Sequence, residues 1–263
     1  MPFLDHLEEL RWHILWSVLS VIVGSIIGFG LVYYFGVLEL LIEPVRVAMD
    51  DPDLTLQYLS PADAFFVTLK LAIYAGFIMA FPIVAYHLWS FLSPALEKRE
   101  RRLIVPALYL GMVLFIGGMA LAYFAALPVT LEFFQKFQTG ALEANYEINA
   151  TLGFIVKLLL AFGFVFELPI VIMVLSMMGL VTPAFLREKR RHAIVLITIV
   201  ASFITPGDVV VLTVMMMIPL VFLYELGIFL SLLIYRGKAQ REKEMEEELK
   251  ADLTPPPDSV ELQ

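Results

Sequence analysis

The sequence predicts an all-α polytopic membrane protein with six transmembrane helices, of which helices 5 and 6 are short. Of its 263 residues, 60% are hydrophobic and the mean hydropathy is +0.85, whereas a soluble domain is about 45–50% apolar. Long apolar runs alternate along the chain with short charged segments. The Lys and Arg residues concentrate in alternate loops, which is the pattern that orients helices in a membrane.

A short basic loop sets the predicted orientation. Residues 97–102 contain the charged side chains Glu97, Lys98, Arg99, Glu100, Arg101 and Arg102. Short basic loops between spanning helices stay on the cytoplasmic side. Of the 18 Lys and Arg residues, fourteen then fall in the cytoplasm, Arg46 and Lys136 fall outside, and Lys70 and Lys157 lie within helices. This asymmetry predicts six spans with both termini in the cytoplasm.

Three apolar runs predict the first three spans. About 20 residues cross the ~30 Å core of a bilayer, and these runs cover about residues 12–35, 64–91 and 103–127. A capping box at Asp5 and Glu8 precedes helix 1, and Pro61 starts helix 2. The acidic segment between them contains an amphipathic, helix-like pattern at Val37–Met49. In helix 3, three glycines permit close helix contact, namely Gly111, Gly117 and Gly118.

The second half of the chain predicts one long span and a short hairpin. Helix 4 covers about residues 151–178, and helices 5 and 6 cover about 192–205 and 209–235. Fourteen residues separate Arg191 from Pro206, which is about 21 Å of helix and less than the ~30 Å core. Sixteen residues, 209–224, precede Glu225. Either the bilayer thins here, or protein or water covers the polar tip.

Beyond the predicted transmembrane domain of residues 1–235, the charged tail of residues 236–263 is predicted to be disordered after a frayed helical start.

Composition excludes several kinds of chemistry. There is no Cys, and the four His residues show no metal-ligand spacing. Zinc-protease, phosphate-loop and nucleophile-elbow motifs are absent from the sequence. We therefore expect no enzymatic activity, no metal and no cofactor.

Glu167 is the most unusual side chain of the predicted spans, because it lies near the middle of helix 4. A charged carboxylate there costs about 2.5–3.5 kcal/mol on insertion scales, so it must be neutral, paired or exposed to water. Pro169 frees the carbonyl of Val165, which predicts a kink beside Glu167. Two interpretations stay open: an internal hydrogen bond between helices, or a polar patch used by a partner or a proton.

Two further pairs of charges fall near the predicted membrane edges. Glu9 and Glu100 precede helices 1 and 3 at the cytoplasmic edge. Carboxylates are common at helix N-termini, but as a pair they could also receive two guanidinium groups through bidentate hydrogen bonds. Lys70 and Lys157 are predicted to extend toward the outer interface, a structural role.

Several short motifs follow one another in a specific order and spacing. From the N-terminus they are His6-Leu-Glu-Glu-Leu-Arg11, Glu43-Pro44, Ser60-Pro61, Pro82, Tyr86, Trp89-Ser-Phe91, Pro94-Ala-Leu, Glu100-Arg-Arg102, Phe115, Gly118, Ala122-Tyr-Phe124, Phe166-Glu-Leu-Pro169, Thr205-Pro-Gly-Asp208, Ile218-Pro219 and Tyr224-Glu225. Over about residues 3–235 the chain thus resembles the TatC family, the multispanning subunit of the twin-arginine protein translocase.

The resemblance implies a cupped receptor that binds twin-arginine signal peptides. With small single-span subunits of the TatA and TatB type, it would transport folded proteins across the bacterial plasma membrane, using the proton-motive force. It also implies contact with lipid, a homo-oligomer within a complex, and no nucleic acid partner. The alternative function is a proton-coupled small-molecule transporter centred on Glu167.

The resemblance also assigns roles to particular residues. The family's signal-peptide site on the cytoplasmic face maps to Glu9, Arg11, Phe91, Glu100, Arg101 and Arg102. Its intramembrane glutamate maps to Glu167. Partner-binding or structural positions map to Pro44, Thr205 and Asp208, and the face for single-span partners maps to helices 5 and 6. Two departures are Gly207, where the family turn usually has proline, and Leu212, where the family often has glutamine.

Overall fold

The computed structural model describes residues 2–92, 100–136, 146–204 and 211–253, and every named element among them is helical. The helices are α1 Pro2–Tyr34, α2 Val37–Met49, α3 Asp63–Leu92, α4 Ile104–Leu121, α5 Leu127–Lys136, α6 Ile148–Phe166, α7 Leu168–Met177, α8 Pro183–Glu188, α9 Arg190–Ile204 and α10 Val211–Leu253. A short 3-10 helix, Glu100–Leu103, precedes α4, and a π-helical turn, Ala122–Ala126, joins α4 to α5. The predicted all-α fold is confirmed.

Within the described ranges, five helical segments are long and apolar enough to cross a membrane. They are Leu7–Tyr34, Asp63–Leu92, Arg101–Gln135, Ile148–Met177 and Met216–Gly237. Helix α9 has 15 residues, about 22 Å of helix, and is therefore shorter than the ~30 Å hydrocarbon core. The total of six spans, which counts α9, stays a prediction.

The last helix is longer than the sequence predicts. Glu225 does not interrupt it, because Arg190 Nη2 lies 2.6 Å from Glu225 Oε2 and pairs with the charge. The helix also continues as α10 to Leu253, whereas the sequence predicts only a frayed helical start after residue 235, followed by disorder. Residues 240–253 consist mainly of Glu, Lys, Gln, Arg, Leu and Ala, which favour helix over disorder.

Two helix ends also differ from the prediction. Helix α1 begins at Pro2 rather than after the capping box, so the polar N-terminal segment is helical too. The third predicted span continues past Pro128 to Lys136. Proline has no N–H for the carbonyl four residues earlier, on Phe124, and its ring crowds that carbonyl. The wider π-helical turn at this point accommodates the mismatch.

Helices α1 and α3 pack backbone against backbone along most of α1. Gly24 and Gly28 lie one turn apart on α1 and face Gly76 and Ala72 of α3. A Cβ atom added at Gly24 would lie 2.5 Å from the carbonyl oxygen of Gly76, and one added at Gly28 would lie 2.6 Å from that of Ala72. Small residues spaced four apart allow this close approach between membrane helices.

Glycine also allows α4 to pack closely against α6. A Cβ atom at Gly118 would lie 2.7 Å from the carbonyl oxygen of Phe162, and one at Gly163 would lie 2.8 Å from the ring of Phe115. Phe115 in turn stacks on Phe81 of α3, with ring centroids 3.9 Å apart. The close contact predicted for the glycines of helix 3 is confirmed at Gly118, whereas Gly117 faces open space.

Among the described residues, two buried hydrogen bonds join α10 to the rest of the bundle. The hydroxyl groups of Ser176 on α7 and Ser231 on α10 lie 2.7 Å apart, and both residues are fully buried. The hydroxyl of Tyr224 donates to the carbonyl oxygen of Leu186 at 2.8 Å. Interhelical hydrogen bonds of this kind contribute about 0.6 kcal/mol on average in membranes, so apolar packing supplies most of the stability.

Candidate functional site

The ends of three helices meet at one end of the bundle, here called the Glu9 end. Helix α1 begins there beside the end of α3, because the two helices pack along each other. On α3, Trp89 is 5% exposed and packs with Ile104 and Ala107 at the start of α4. The residues predicted to bind a signal peptide lie on these three helix ends. The opposite end carries α2 and is called the α2 end.

His13 connects the two predicted residues Glu9 and Phe91. Its Nε2 atom lies 3.9 Å from Oε1 of Glu9, one turn earlier on α1. Its ring meets the ring of Phe91 edge-on, with centroids 6.4 Å apart. The Nδ1 atoms of His13 and His87 lie 3.1 Å apart, which links α1 to α3. The Glu9 side chain is 45% exposed, so its carboxylate is accessible from water.

The predicted cations of the site lie on exposed surface. Arg11 is exposed on α1, and Arg101 and Arg102 are exposed on the short 3-10 helix before α4. Glu100 begins that helix, but its side chain lies outside the described residues. The pairing of Glu9 with Glu100 therefore stays a prediction.

The contact between His13 and His87 was not predicted from the sequence, because the four histidines show no metal-ligand spacing. A different pattern marks them. His13 follows Glu9 by four residues, and Phe91 follows His87 by four residues. Residues four apart share one face of a helix, so each histidine points in the same direction as a predicted site residue. A hydrogen bond between the two Nδ1 atoms requires one of them to carry a proton and the other to accept it.

Glu167 occupies the joint between α6 and α7. Helix α6 ends at Phe166 and α7 begins at Leu168, with Pro169 in its first turn. At this joint the N–H of Glu167 donates to the carbonyl of Phe164 at 3.1 Å, a three-residue turn. Pro169 offers no N–H to the carbonyl of Val165, which explains the break. The predicted interruption beside Glu167 is therefore present.

The Glu167 carboxyl group lies over Gly111 of α4. A Cβ atom added at Gly111 would lie 2.9 Å from Oε2 and 3.2 Å from Oε1 of Glu167. Oε1 is buried and has no hydrogen-bond partner within the described part of the chain. Such an unsatisfied buried atom costs about 1–3 kcal/mol. Between the two interpretations left open by the sequence, this geometry favours a polar group held for a partner or a proton.

Pro44 is buried within α2, where it contributes to packing on the α2 end. Thr205 and Asp208 lie outside the described residues, so their predicted roles stay predictions. Among the residues that the structure does describe, no group of three or more His, Asp or Glu side chains is arranged to hold a metal ion.

The chain is similar to known proteins over most of its length. The family model described as Sec-independent protein translocase protein (TatC) matches residues 5–219. The Sec-independent protein translocase protein TatC of Aquifex aeolicus (strain VF5) is 37% identical over 247 residues, covering 92% of this chain and 100% of that protein. The protein of the same description from Escherichia coli (strain K12) is 35% identical over 243 residues, covering 92% of each.

Solved structures agree with these sequence matches. A crystal structure of the twin-arginine translocase receptor TatC is 35% identical to this chain, with a TM-score of 0.70, and covers 88% of this chain and 99% of that one. A crystal structure of the same receptor in DDM is 36% identical, with a TM-score of 0.72, and covers 86% and 99%. The chain therefore belongs to the TatC family of Sec-independent protein translocase proteins.

Proposed function

We propose that this chain is the core subunit of a twin-arginine translocase. It binds twin-arginine signal peptides at the Glu9 end, which faces the cytoplasm together with both termini. With single-span subunits of the TatA and TatB type, it transports folded proteins across the bacterial plasma membrane, driven by the proton-motive force. Family membership supports the first part of this proposal, that the chain is a component of a protein translocase. It does not favour the alternative of a small-molecule transporter.

The observation that carries the proposal is the half-exposed carboxylate of Glu9, which lies 3.9 Å from the ring of His13. That ring in turn meets the ring of Phe91. A carboxylate accepts two parallel hydrogen bonds from a guanidinium group, and the planar guanidinium can also stack on an aromatic ring. A lysine ammonium group provides neither the fork nor the plane. The exposed Arg101 and Arg102, on the short helix before α4, would repel a misplaced cation, which adds selectivity.

The test is binding of a twin-arginine signal peptide to the purified full-length chain, compared with the same peptide carrying two lysines. We expect the lysine peptide to bind about tenfold more weakly or worse, a difference of ~1.4 kcal/mol or more. The two peptides have the same charge, so the comparison isolates guanidinium recognition. Equal affinities would contradict the proposal.

We further propose that Glu167 offers its carboxyl group to a polar group of a single-span partner within the membrane. Replacing an unsatisfied buried polar group with an apolar one is neutral or stabilising. Glu167→Leu should therefore keep the unfolding temperature of the chain, yet lower transport of a folded cargo by about tenfold or more, equivalent to ~1.4 kcal/mol. Transport into vesicles and thermal unfolding measure the two effects.

Glu167→Gln separates the two functional roles. Glutamine keeps the size and the hydrogen bonds of a neutral carboxyl group but cannot release a proton. Transport close to that of the unmodified chain would indicate a hydrogen-bonded contact, whereas a loss as large as that of Glu167→Leu would indicate proton transfer. Full transport by Glu167→Leu would contradict both roles. A lowered unfolding temperature in Glu167→Leu would instead point to an internal structural bond.

A further inference from the structure

A second polar site lies at the α2 end, away from the site proposed above for the signal peptide. Lys70 and Tyr74 of α3 and Asn149 and Lys157 of α6 line a cavity of about 290 Å³ between the two helices. Lys70 Nζ donates to Oδ1 of Asn149 at 3.0 Å, which holds this lysine at the cavity. Two cations thus line one small cavity near the end of a membrane span.

The positive charge of this cavity is not neutralised by the described residues, among which neither Lys70 nor Lys157 forms an ion pair. The acidic side chains at the starts of α3 and α6, Asp63 and Glu147, accept hydrogen bonds from backbone N–H groups instead. Asp63 Oδ2 accepts from the N–H groups of Leu59 and Ser60 at 3.0 and 2.7 Å. The carboxylate of Glu147 accepts from the N–H groups of Asn149 and Ala150.

Those backbone hydrogen bonds also affect the ionisation of Glu147. Desolvation acts to raise the pKa of its carboxyl group, but the donors at Asn149 and Ala150 outweigh it and hold the pKa below the usual value. Glu147 therefore stays ionised as the N-cap of α6. The cavity keeps two cations that lack acidic partners in the described part of the chain.

An apolar cavity of about 380 Å³ adjoins the polar one. Leu71 and Tyr74 line both cavities, so the two are adjacent along the groove between α3 and α6. The apolar cavity extends deeper into the membrane span, to Ile78 of α3, Leu160 of α6 and Ile116 of α4. The groove is therefore cationic toward the α2 end and apolar toward the middle of the spans.

We propose that this groove binds one anionic phospholipid from the leaflet at the α2 end. Its phosphate lies between Lys70 and Lys157, and one acyl chain occupies the apolar cavity. Ammonium groups donate strong, charge-assisted hydrogen bonds to phosphate oxygens, and basic pockets between membrane helices are suited to anionic lipid head groups. A zwitterionic lipid would bring its own ammonium group close to the two lysines and should therefore bind more weakly.

The first experiment measures how much phosphatidylglycerol the purified full-length chain retains, using native mass spectrometry with added lipid. We expect Lys70→Gln combined with Lys157→Gln to weaken retention by about tenfold or more. Lys189→Gln is the control for loss of a lysine charge elsewhere, because Lys189 pairs with Glu188 near the start of α9, far along the chain from the groove. It should retain the lipid as the unmodified chain does.

Head-group selectivity provides the second measurement. Phosphatidylcholine with the same acyl chains should bind the unmodified chain more weakly than phosphatidylglycerol, and the double lysine variant should bind both lipids alike. Equal retention of phosphatidylglycerol by the unmodified chain and the double variant would overturn the proposal. Equal retention of the two lipids by the unmodified chain would overturn it as well.

A third measurement distinguishes a lipid from a free anion. Ala75 lines the apolar cavity but not the polar one. Ala75→Phe should fill that cavity and weaken retention of phosphatidylglycerol while both lysines remain. A large excess of inorganic phosphate should not displace the lipid, because phosphate cannot occupy the apolar cavity. Displacement by phosphate, or unchanged retention in a folded Ala75→Phe variant, would rule out the lipid.

Discussion

Glu9→Gln is expected to weaken binding of a twin-arginine signal peptide by about tenfold or more, equivalent to ~1.4 kcal/mol, and to leave the unfolding temperature unchanged. Glutamine keeps the shape of glutamate but removes the negative charge. Hydrogen bonds to a charged group contribute about 1.5–3 kcal/mol, and a guanidinium forms two of them with one carboxylate. The Glu9 side chain is half exposed, so removing its charge should change the stability of the folded chain little. Titration of a labelled peptide measures the change.

Glu8→Gln is the control for this variant. It changes the net charge of the chain by the same amount, and Glu8 is exposed on the same helix. The two side chains point about 100° apart around the helix axis, so only Glu9 lies next to His13. If both variants weakened binding equally, the effect would be general attraction between the peptide and an acidic helix end. The assignment of Glu9 as a guanidinium acceptor would then be wrong.

Selectivity for arginine over lysine provides an independent measure of the same site. If Glu9 receives one guanidinium group and Glu100 the other, each of Glu9→Gln and Glu100→Gln should reduce the preference for the twin-arginine peptide over the twin-lysine one. If the carboxylates only attracted positive charge, removing either one would lower the affinities for both peptides and leave their ratio unchanged. A ratio that neither variant alters would therefore separate these carboxylates from arginine recognition.

Local sequence patterns predicted several parts of the fold correctly. The amphipathic pattern at Val37–Met49 is helix α2 with the same bounds. The interruption beside Glu167 follows from Pro169. The shortness of α9 follows from the fourteen residues between Arg191 and Pro206. Each of these features depends on residues close together in the chain, so periodicity and proline chemistry were sufficient.

Features that depend on distant residues were not predicted. Glu225 is a charged residue inside the last predicted span, and its partner Arg190 lies 35 residues away in the chain. His13 and His87 are 74 residues apart and meet only because α1 packs closely on α3. At the candidate site, Glu9 and Phe91 were predicted and are brought together through His13. Glu9 lies on α1 and Phe91 on α3, so spacing within either helix could not show that the two residues lie at the same site.

The largest effect on stability is expected from Gly76→Leu. A Cβ atom at Gly76 would overlap the backbone of α1 at Ser25 and lie 2.6 Å from the carbonyl carbon of Gly24. Backbone atoms of a packed helix cannot move aside as a flexible side chain can, so α1 and α3 must separate. Overpacking usually costs about 1–3 kcal/mol and occasionally more, and we expect the upper part of that range here. Thermal unfolding of the purified chain measures the loss.

Gly30→Leu is the matched control, because a Cβ atom at Gly30 meets nothing within 4 Å. Leucine is more favourable than glycine within a helix by roughly 1 kcal/mol. This variant should therefore be as stable as the unmodified chain or more stable. If Gly76→Leu and Gly30→Leu unfolded at the same temperature, the close packing of α1 on α3 would be contradicted.

The same pair of variants tests the link between helix packing and the site. Glu9 and His13 belong to α1, whereas His87 and Phe91 belong to α3, so their contacts exist only while the two helices stay together. Gly76→Leu should therefore weaken binding of the twin-arginine peptide, although Gly76 lies eleven residues from His87 on α3. Gly30→Leu should not. Normal peptide binding by a Gly76→Leu chain with a lowered unfolding temperature would show that α1 alone carries the recognition surface.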